Sequence, residues 1–180
     1  MPPRTRPSRP AFTIIEVLAV ITVAGLLAAS VVPAAARIND ARRVTGVHET
    51  ARLLAYARAH AASSGLPAGI RFDTDADTAE LVRYDGASII LADPLGTVPT
   101  TVALNALYGS DLTATQFSGA PAPGTAPDTA TLWFDHRGTP HLRARTTNTR
   151  IELRADAAVE FVSGHTLTIS ESSGLIEVTP

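Results

Sequence analysis

The feature that most constrains this chain is an apolar run from Phe12 to Ala36, in which Glu16 is the one charged residue. About 20 consecutive apolar residues are enough to cross a bilayer as a helix, so the run is long enough to span a membrane. An unpaired carboxylate at the middle of a membrane costs about 2.5–3.5 kcal/mol, and a simple anchor has no use for one. The run therefore predicts a membrane helix in which Glu16 has a function.

The residues at the start of this run resemble a known processing signal. Ala11, Phe12 and Thr13, followed by two Ile and then Glu16, resemble the class III signal of type IV pilins and type II secretion pseudopilins. In that family a basic leader is removed before a Phe, the new amino terminus is methylated, and the fifth mature residue is Glu. The resemblance implies a leader of residues 1–11, cleavage between Ala11 and Phe12, and N-methylation of Phe12.

The same resemblance implies how the segment assembles. The Glu16 carboxylate would pair with the methylated amino group of Phe12 on a neighbouring subunit, with Thr13 and Pro33 in the same assembly segment. Pro33 becomes the twenty-second mature residue, where many pilins carry a proline. Ala11 departs from the Gly that usually precedes the cut, although both are small. The implied partners are a prepilin peptidase/methyltransferase, other pilins or pseudopilins, and the inner membrane.

Two other interpretations of the segment stay open. A secretory signal is cleaved after its apolar run, and the small residues at 31–36 offer such a site. Glu16 could also lie at the level of the lipid headgroups. The flanking arginines are balanced, so the positive-inside rule gives no orientation: Arg4, Arg6 and Arg9 against Arg37, Arg42 and Arg43. The family resemblance implies a single-pass bacterial inner-membrane protein with a cytoplasmic amino terminus and a periplasmic domain.

The helix is predicted to continue beyond the membrane segment until Gly65-Leu66-Pro67 ends it. The predicted division is a leader (1–11), a membrane half of the helix (12–36), an amphipathic half (37–64) and a β-rich globular domain (65–180). A core-facing stripe is predicted at Val44, Val47, Ala51, Leu54, Ala55 and Ala62. Leu53 and Tyr56, on the opposite side, are predicted to contact a neighbouring subunit.

After Pro67 the apolar pattern changes to a period of two, which predicts strands. The predicted strands are 68–73, 79–84, 87–91, 100–104, 129–135, 140–144, 150–154, 158–162, 165–170 and 175–178, with a long loop over 108–128. The predicted fold class is α+β, with a long amino-terminal helix packed on an antiparallel sandwich or sheet. Element order and the strings AGIRFD, LWFDHRG and LTISESSGLIEV resemble the H-type minor pseudopilins and the FimT/FimU minor pilins.

Composition excludes several classes of function. The formal net charge is −2, and removing the three leader arginines would leave about −5, so nucleic acid is an unlikely partner by charge. The chain has no Cys, which excludes disulfides, thiolate metal sites and a Cys nucleophile. The sequence has neither a nucleophile-elbow pattern nor a Gly-rich phosphate loop. We therefore expect no enzyme activity, no catalytic residue and no cofactor.

Two places could bind a metal. Asp73, Asp75 and Asp77 alternate like the opening of a calcium loop, but Thr78 stands where that loop needs Gly and Tyr84 where it needs Glu. A solvated hairpin turn explains the three carboxylates better. His136 and His141 flank a predicted turn and could ligate zinc, although an exposed hairpin is not a closed site.

The predicted function is that of a structural minor pseudopilin subunit of a type II secretion system, assembled through its amino-terminal helix into a periplasmic pseudopilus. The alternative is a minor type IV pilin for pilus assembly or DNA uptake. A basic cluster could contact phosphates, although alternate arginines on a strand more often form a solvated face: Arg143, Arg145, Arg150 and Arg154. A third interpretation, a periplasmic enzyme with a signal anchor, predicts that Glu16 is dispensable.

Overall fold

The computed structural model describes residues 13–86, 89–91, 100–119 and 130–180. Its first element is the helix α1 (Ile14–Ser64). The helix ends where the sequence predicts, because Gly65 adopts a φ of 72° and its N–H donates to the carbonyl of Ala61 at 3.1 Å. A left-handed glycine directly after the last turn is a common way to satisfy the final carbonyls of a helix.

The chain forms two compact units, Met1–Ile38 and Asn39–Pro180. In the first unit, the described residues begin with Thr13 and continue as the amino-terminal part of α1. The second unit contains the rest of α1, a short helix α2 (Leu104–Tyr108) and all the strands found among the described residues.

Within the second unit, one face of α1 is buried, and it differs from the predicted stripe. Its buried residues are Gly46, Val47, Thr50, Leu53, Leu54, Ala57 and Ala61. Leu53 is fully buried, so its predicted contact with a neighbouring subunit is wrong, and Ala55 and Ala62 are exposed. The spacing 46, 50, 53, 57, 61 follows the helical repeat, and the small and polar residues at 46, 50, 57 and 61 concealed it from a search for apolar residues.

The first sheet has seven strands, all antiparallel. Six of them follow the order β3-β2-β1-β6-β7-β8. The seventh, β4, lies on the same edge of β2 as β3: it pairs with residues 78–80 of β2, whereas β3 pairs with residues 82–84. Their bounds are β1 (Ala68–Asp73), β2 (Thr78–Tyr84), β3 (Ile89–Leu91), β4 (Thr101–Ala103), β6 (Thr131–Phe134), β7 (Pro140–Arg143) and β8 (Arg150–Glu152). The hairpins β1–β2 and β6–β7 confirm the two hairpins predicted from turn signals.

The second sheet has four antiparallel strands in the order β11-β10-β9-β5. They are β5 (Leu112–Gln116), β9 (Ala157–Phe161), β10 (Thr166–Ile169) and β11 (Ile176–Thr179). The last three follow one another along the chain, whereas β5 joins from a distant position and pairs with β9 through a bulge between Leu112 and Ala114.

The predicted long loop over 108–128 is wrong in its first part, because β5 lies inside it. Leu112 is buried there and Thr residues favour strands, although the Gly- and Pro-rich sequence nearby hid the pattern. Residues 120–128 of that predicted loop lie outside the described part. The helix α2 was also missed, and its capping residue Gly109 has a φ of 61°. Pairing with the distant strand β9, and not local pattern, decides β5.

A single apolar core joins α1 to both sheets in the second unit. Its large members include Leu53, Leu54, Ile70, Phe134 and Leu167, all fully buried. Trp133 and Val82 are also fully buried but are not part of that core. Because successive side chains of a strand point to opposite faces, Trp133 lies on the face of the first sheet away from Leu132 and Phe134. The first sheet is therefore buried on both faces at its centre.

Candidate functional site

The start of α1 is stabilised by a reciprocal pair of hydrogen bonds between Thr13 and Glu16. The Thr13 N–H donates to Glu16 Oε2 at 3.4 Å, and the Glu16 N–H donates to Thr13 Oγ1 at 3.4 Å. Thr13 is thus the residue before the helix and Glu16 its third residue, the arrangement known as a capping box. The pattern Thr-x-x-Glu ahead of an apolar run is a helix-start signal that is visible in the sequence itself.

The large apolar side chains that follow Glu16 have nothing to pack against among the described residues of their own unit. Eight of them are more than half exposed: Leu18, Val20, Ile21, Val23, Leu26, Leu27, Val31 and Ile38. By length and composition, this helix is one that could cross a membrane, and its most apolar stretch has no buried residue. Because burying apolar surface is the main favourable term in folding and association, such a surface needs lipid or other helices around it.

The remaining residues of the predicted assembly segment are only partly described. Ala11 and Phe12, the predicted cleavage and methylation site, lie outside the described residues. Pro33 lies within the bounds of α1. Thr13 and Glu16 are exposed, so nothing within the described residues prevents Glu16 from meeting a partner. The role of this segment in assembly stays a prediction.

The Asp73–Asp77 turn uses its carboxylates for backbone hydrogen bonds. Asp73 Oδ1 accepts from the N–H groups of Asp75 and Ala76, both at 2.9 Å. Asp77 has a φ of 50° and its Oδ1 accepts from the N–H of Leu112 at 2.9 Å, which ties the first hairpin to β5. Two of the three carboxylates therefore have a structural role, which the sequence analysis anticipated in preferring a turn.

The two histidines of the predicted zinc pair have different surroundings. His136 is exposed in the turn between β6 and β7, whereas His141 is buried, with 1% of its surface exposed. Burial, and then the charges of Arg150 and Arg143, lower the pKa of His141 to about 4. Among the described residues, no group of three His, Asp or Glu side chains is arranged to hold a metal ion.

The four arginines of the predicted basic cluster do not form one solvated face, and that expectation is wrong. Arg145 and Arg154 are exposed, but Arg143 is buried and Arg150 pairs with Asp135, with Nη1 2.7 Å from Oδ2. The carboxylate of Asp135 also accepts the N–H groups of Arg137 and Thr139 at 2.9 Å. Burial would raise the pKa of Asp135, but these hydrogen bonds outweigh it and lower that pKa.

Arg143 is packed against aromatic rings on the outer face of the first sheet. Its guanidinium carbon lies 3.8 Å from the ring centroid of Tyr84 and 5.6 Å from that of Trp133. Such cation–π contacts offset part of the cost of burying an arginine. The four residues Pro-His-Leu-Arg do not by themselves indicate that both faces of β7 are covered, so this contact is not predictable from the local sequence.

Comparison with known proteins adds information about the fold. No protein-family model matches the sequence, and no curated protein matches it. Two solved structures of the minor pseudopilin EpsH from the type II secretion system of Vibrio cholerae are similar to the chain. One has a TM-score of 0.52 at 14% identity and covers 78% of this chain and 94% of that one. The other has a TM-score of 0.48 at 15% identity, covering 76% and 94%.

At this level of identity, the likeness concerns the fold alone. The structure with the higher TM-score supports the predicted α+β class, a long amino-terminal helix followed by antiparallel sheets, and this prediction is confirmed.

Proposed function

We propose that this chain is a minor pseudopilin-like structural subunit, without enzyme activity, that assembles into a periplasmic pseudopilus of a type II secretion system. One observation carries the proposal: an apolar, exposed helical segment with one carboxylate in its first turn belongs to a chain with the fold of EpsH. The helix would span the inner membrane with its amino terminus in the cytoplasm. Within a filament, the same apolar surface would pack against the helices of other subunits.

In this proposal a prepilin peptidase/methyltransferase removes residues 1–11 and methylates the new amino terminus at Phe12. The test is the intact mass of the chain isolated from membranes, with and without a co-expressed prepilin peptidase. We expect a peptidase-dependent loss of residues 1–11 and the gain of one methyl group. A chain that stays unprocessed, or that is cut near residue 36, would contradict the proposal.

Glu16 would pair with the amino group of Phe12 on the next subunit and so fix the register of assembly. A buried charge that loses its partner costs several kcal/mol, so the pair would strongly disfavour a shifted register. The capping box gives a second reason for a carboxylate at this position, and the two reasons predict different variants to be tolerated.

The variant Glu16→Gln separates the two roles, because a glutamine oxygen can still accept the Thr13 N–H but carries no charge. Glu16→Ala removes both functions. If the charge pairs between subunits, both variants should lose incorporation into filaments, measured by crosslinking to co-expressed pseudopilins. If Glu16→Gln assembles like the wild type, Glu16 only caps the helix and the pairing is excluded. Thr13→Ala is the matched control for loss of the cap alone.

A second candidate function is that of a minor type IV pilin involved in pilus assembly or DNA uptake. The observation in its favour is the exposure of Arg145 and Arg154 near the β7–β8 turn and after β8. Arg143 is buried against the rings of Tyr84 and Trp133, so it does not join these two arginines in a continuous basic stripe. A gel-shift assay at low salt would favour this candidate if the chain retards DNA and an Arg145→Gln, Arg154→Gln variant does not.

A further inference from the structure

An open polar cavity of about 310 Å³ lies between α1 and α2 within the second unit. Its lining from α1 consists of Asn39, Arg42 and Arg43, and its lining from α2 and the residue after it is 105–109. The described lining contains the guanidinium groups of Arg42 and Arg43 and no acidic residue, so no carboxylate in the lining neutralises their charge. Asp40 follows the lining residue Asn39, and Asp111 comes two residues after Gly109, but neither aspartate lines the cavity.

The cavity is shaped by a close approach of α2 to α1. A Cβ placed on Gly46 would lie 3.0 Å from the Cβ atoms of both Tyr108 and Ser110, so only glycine fits there without displacement. Arg43 Nε donates to the carbonyl of Gly109 at 3.2 Å, which fixes that side chain at the edge of the cavity. The side-chain amide of Asn105 donates to the carboxylate of Asp111. The acidic residue closest to α2 in sequence therefore already has a hydrogen-bond partner.

Arg42 has a different environment from Arg43. It is exposed, and no hydrogen bond or ion pair of its guanidinium occurs within the described part of the chain. A guanidinium can bind the oxygens of a phosphate through two parallel N–H donors, and it is less strongly hydrated than an ammonium group. Arg42 is therefore free to bind an anionic oxygen, while Arg43 adds a second positive charge in a fixed position.

The position of the cavity along the chain indicates where the anion comes from. Arg42 follows Ile38, an exposed isoleucine two residues beyond the apolar run, by four residues, so its Cα lies within about 14 Å of that residue in any conformation. Arginine side chains at the end of a membrane helix extend toward the headgroup layer. Leu107, on α2 and in the cavity lining, is 62% exposed. A cationic cavity bordered by an exposed leucine matches the boundary between headgroups and acyl chains.

We propose that this cavity binds the phosphate of an anionic phospholipid, with Arg42 as the main ligand, Arg43 as a fixed second charge and Leu107 in contact with the acyl region. The inference rests on the membrane span in the proposed function. It adds a lipid partner for the second unit, which the fold comparison does not provide. Anionic lipids attract arginines near the membrane surface, and each such residue contributes about fivefold to binding.

The test measures lipid binding by the full chain in an uncharged detergent. The chain is titrated with phosphatidylglycerol or with phosphatidylcholine, and native mass spectrometry quantifies the bound lipid. We expect phosphatidylglycerol to bind more tightly than phosphatidylcholine, and Arg42→Gln to weaken phosphatidylglycerol about fivefold. Arg52→Gln is the matched control, because Arg52 is an exposed arginine of the same helix that pairs with Glu49 and does not line the cavity. This control should bind the lipid like the wild type.

Three results would overturn the inference. They are equal binding of the two lipids, equal weakening by Arg52→Gln, and full displacement of the lipid by millimolar inorganic phosphate, which would indicate a site for the free ion. Alkaline extraction of membranes separates this failure from that of the proposed function. A chain that is extracted contradicts the membrane span itself. A chain that resists extraction, while Arg42→Gln binds phosphatidylglycerol normally, contradicts only the lipid site.

Discussion

His141 lies across from Trp133 in the β6–β7 pair, with its imidazole buried between charged neighbours. The charged groups that act on it are Arg150, Arg143 and Asp135, and burial is the largest influence on its pKa. Because the pKa is about 4 in the folded chain and about 6.5 in an unfolded one, the unfolded state binds the proton first as the pH falls. The folded state should therefore lose stability between about pH 6.5 and pH 4.

The prediction for His141 is a fall of about 2 kcal/mol in the free energy of unfolding between pH 7 and pH 5. His141→Gln should remove most of this pH dependence, although the pKa of His60 is also lowered by burial and will leave a smaller slope of the same sign. Chemical denaturation of the full chain in uncharged detergent at the two pH values measures the effect. His136→Gln, in the exposed turn, should keep the wild-type slope. An unchanged slope in His141→Gln would contradict the prediction.

Asp135 organises the turn between β6 and β7 through three hydrogen bonds, to two backbone N–H groups and to Arg150. Asp135→Ala leaves those donors without their acceptor, so we expect a loss of about 1–3 kcal/mol at pH 7. Its lowered pKa means that this contribution persists above about pH 4 and disappears as the carboxylate is protonated below it. Thermal melts at pH 7 check the loss, with Asp75→Ala, an exposed turn carboxylate, as the control. Similar melting temperatures for both variants would show that Asp135 is dispensable.

At the scale of elements, the buried face of α1 decides how the helix packs. Leu53 is fully buried in the apolar core, so Leu53→Ala should destabilise the chain by about 2–5 kcal/mol through lost contacts and a cavity. Leu107→Ala, at an exposed leucine of α2, should change stability by less than about 0.5 kcal/mol. Equilibrium unfolding of both variants checks the prediction. Equal stabilities would mean that Leu53 faces outward, as the sequence analysis expected.

The elements that the sequence predicted well are those with local signals. The end of α1 and the two hairpins have Gly, Pro or Asp at their turns, and local chemistry is enough to place them. The elements that it missed depend on distant partners: β5 is stabilised by β9. The buried face of α1 differs from the predicted face for a related reason. Gly46 and Thr50 are not hydrophobic residues, and they are buried because other elements pack on them.

The same distinction applies to the candidate site. Thr13 and Glu16 could be identified because their spacing is itself the signal, both for the family resemblance and for a helix cap. Arg143 could not, because its burial depends on Tyr84 and Trp133, which come from two other strands. Alternation along a strand predicts which face a residue occupies, but not whether that face is covered.

At the scale of the whole second unit, the two sheets meet beside Arg58 of α1. The Arg58 guanidinium donates to the carbonyl of Ser173 at 2.9 Å, in the turn before β11. In the turn between β6 and β7, Gly138 approaches the same side chain so closely that a Cβ there would lie 2.7 Å from Arg58 Nε. One arginine of the helix therefore holds a turn from each sheet.

The prediction at this scale concerns Gly174, which has a φ of 66° and whose added Cβ would lie 2.3 Å from the carbonyl oxygen of Gly138. Gly174→Ala should cost about 2–4 kcal/mol, because backbone strain and a steric clash between the two turns add. Gly164→Ala is the control: its φ is 84°, but nothing lies within 4 Å of its Cβ position, so it should lose only about 1–2 kcal/mol. Equal losses in the two variants would show that the turns do not meet.

The pairing of β5 with β9 has a consequence for the order in which the chain can acquire its structure. The strands β1 and β2 are neighbours in sequence and can pair as soon as they are synthesised, but β5 must wait for a strand about 40 residues later. Closing such a long loop carries an entropic cost before any contact compensates it, so the β5–β9 pairing should form after the β1–β2 hairpin. Until β9 arrives, both edges of β5 are unpaired, and unpaired strand edges expose a growing chain to aggregation and to chaperones.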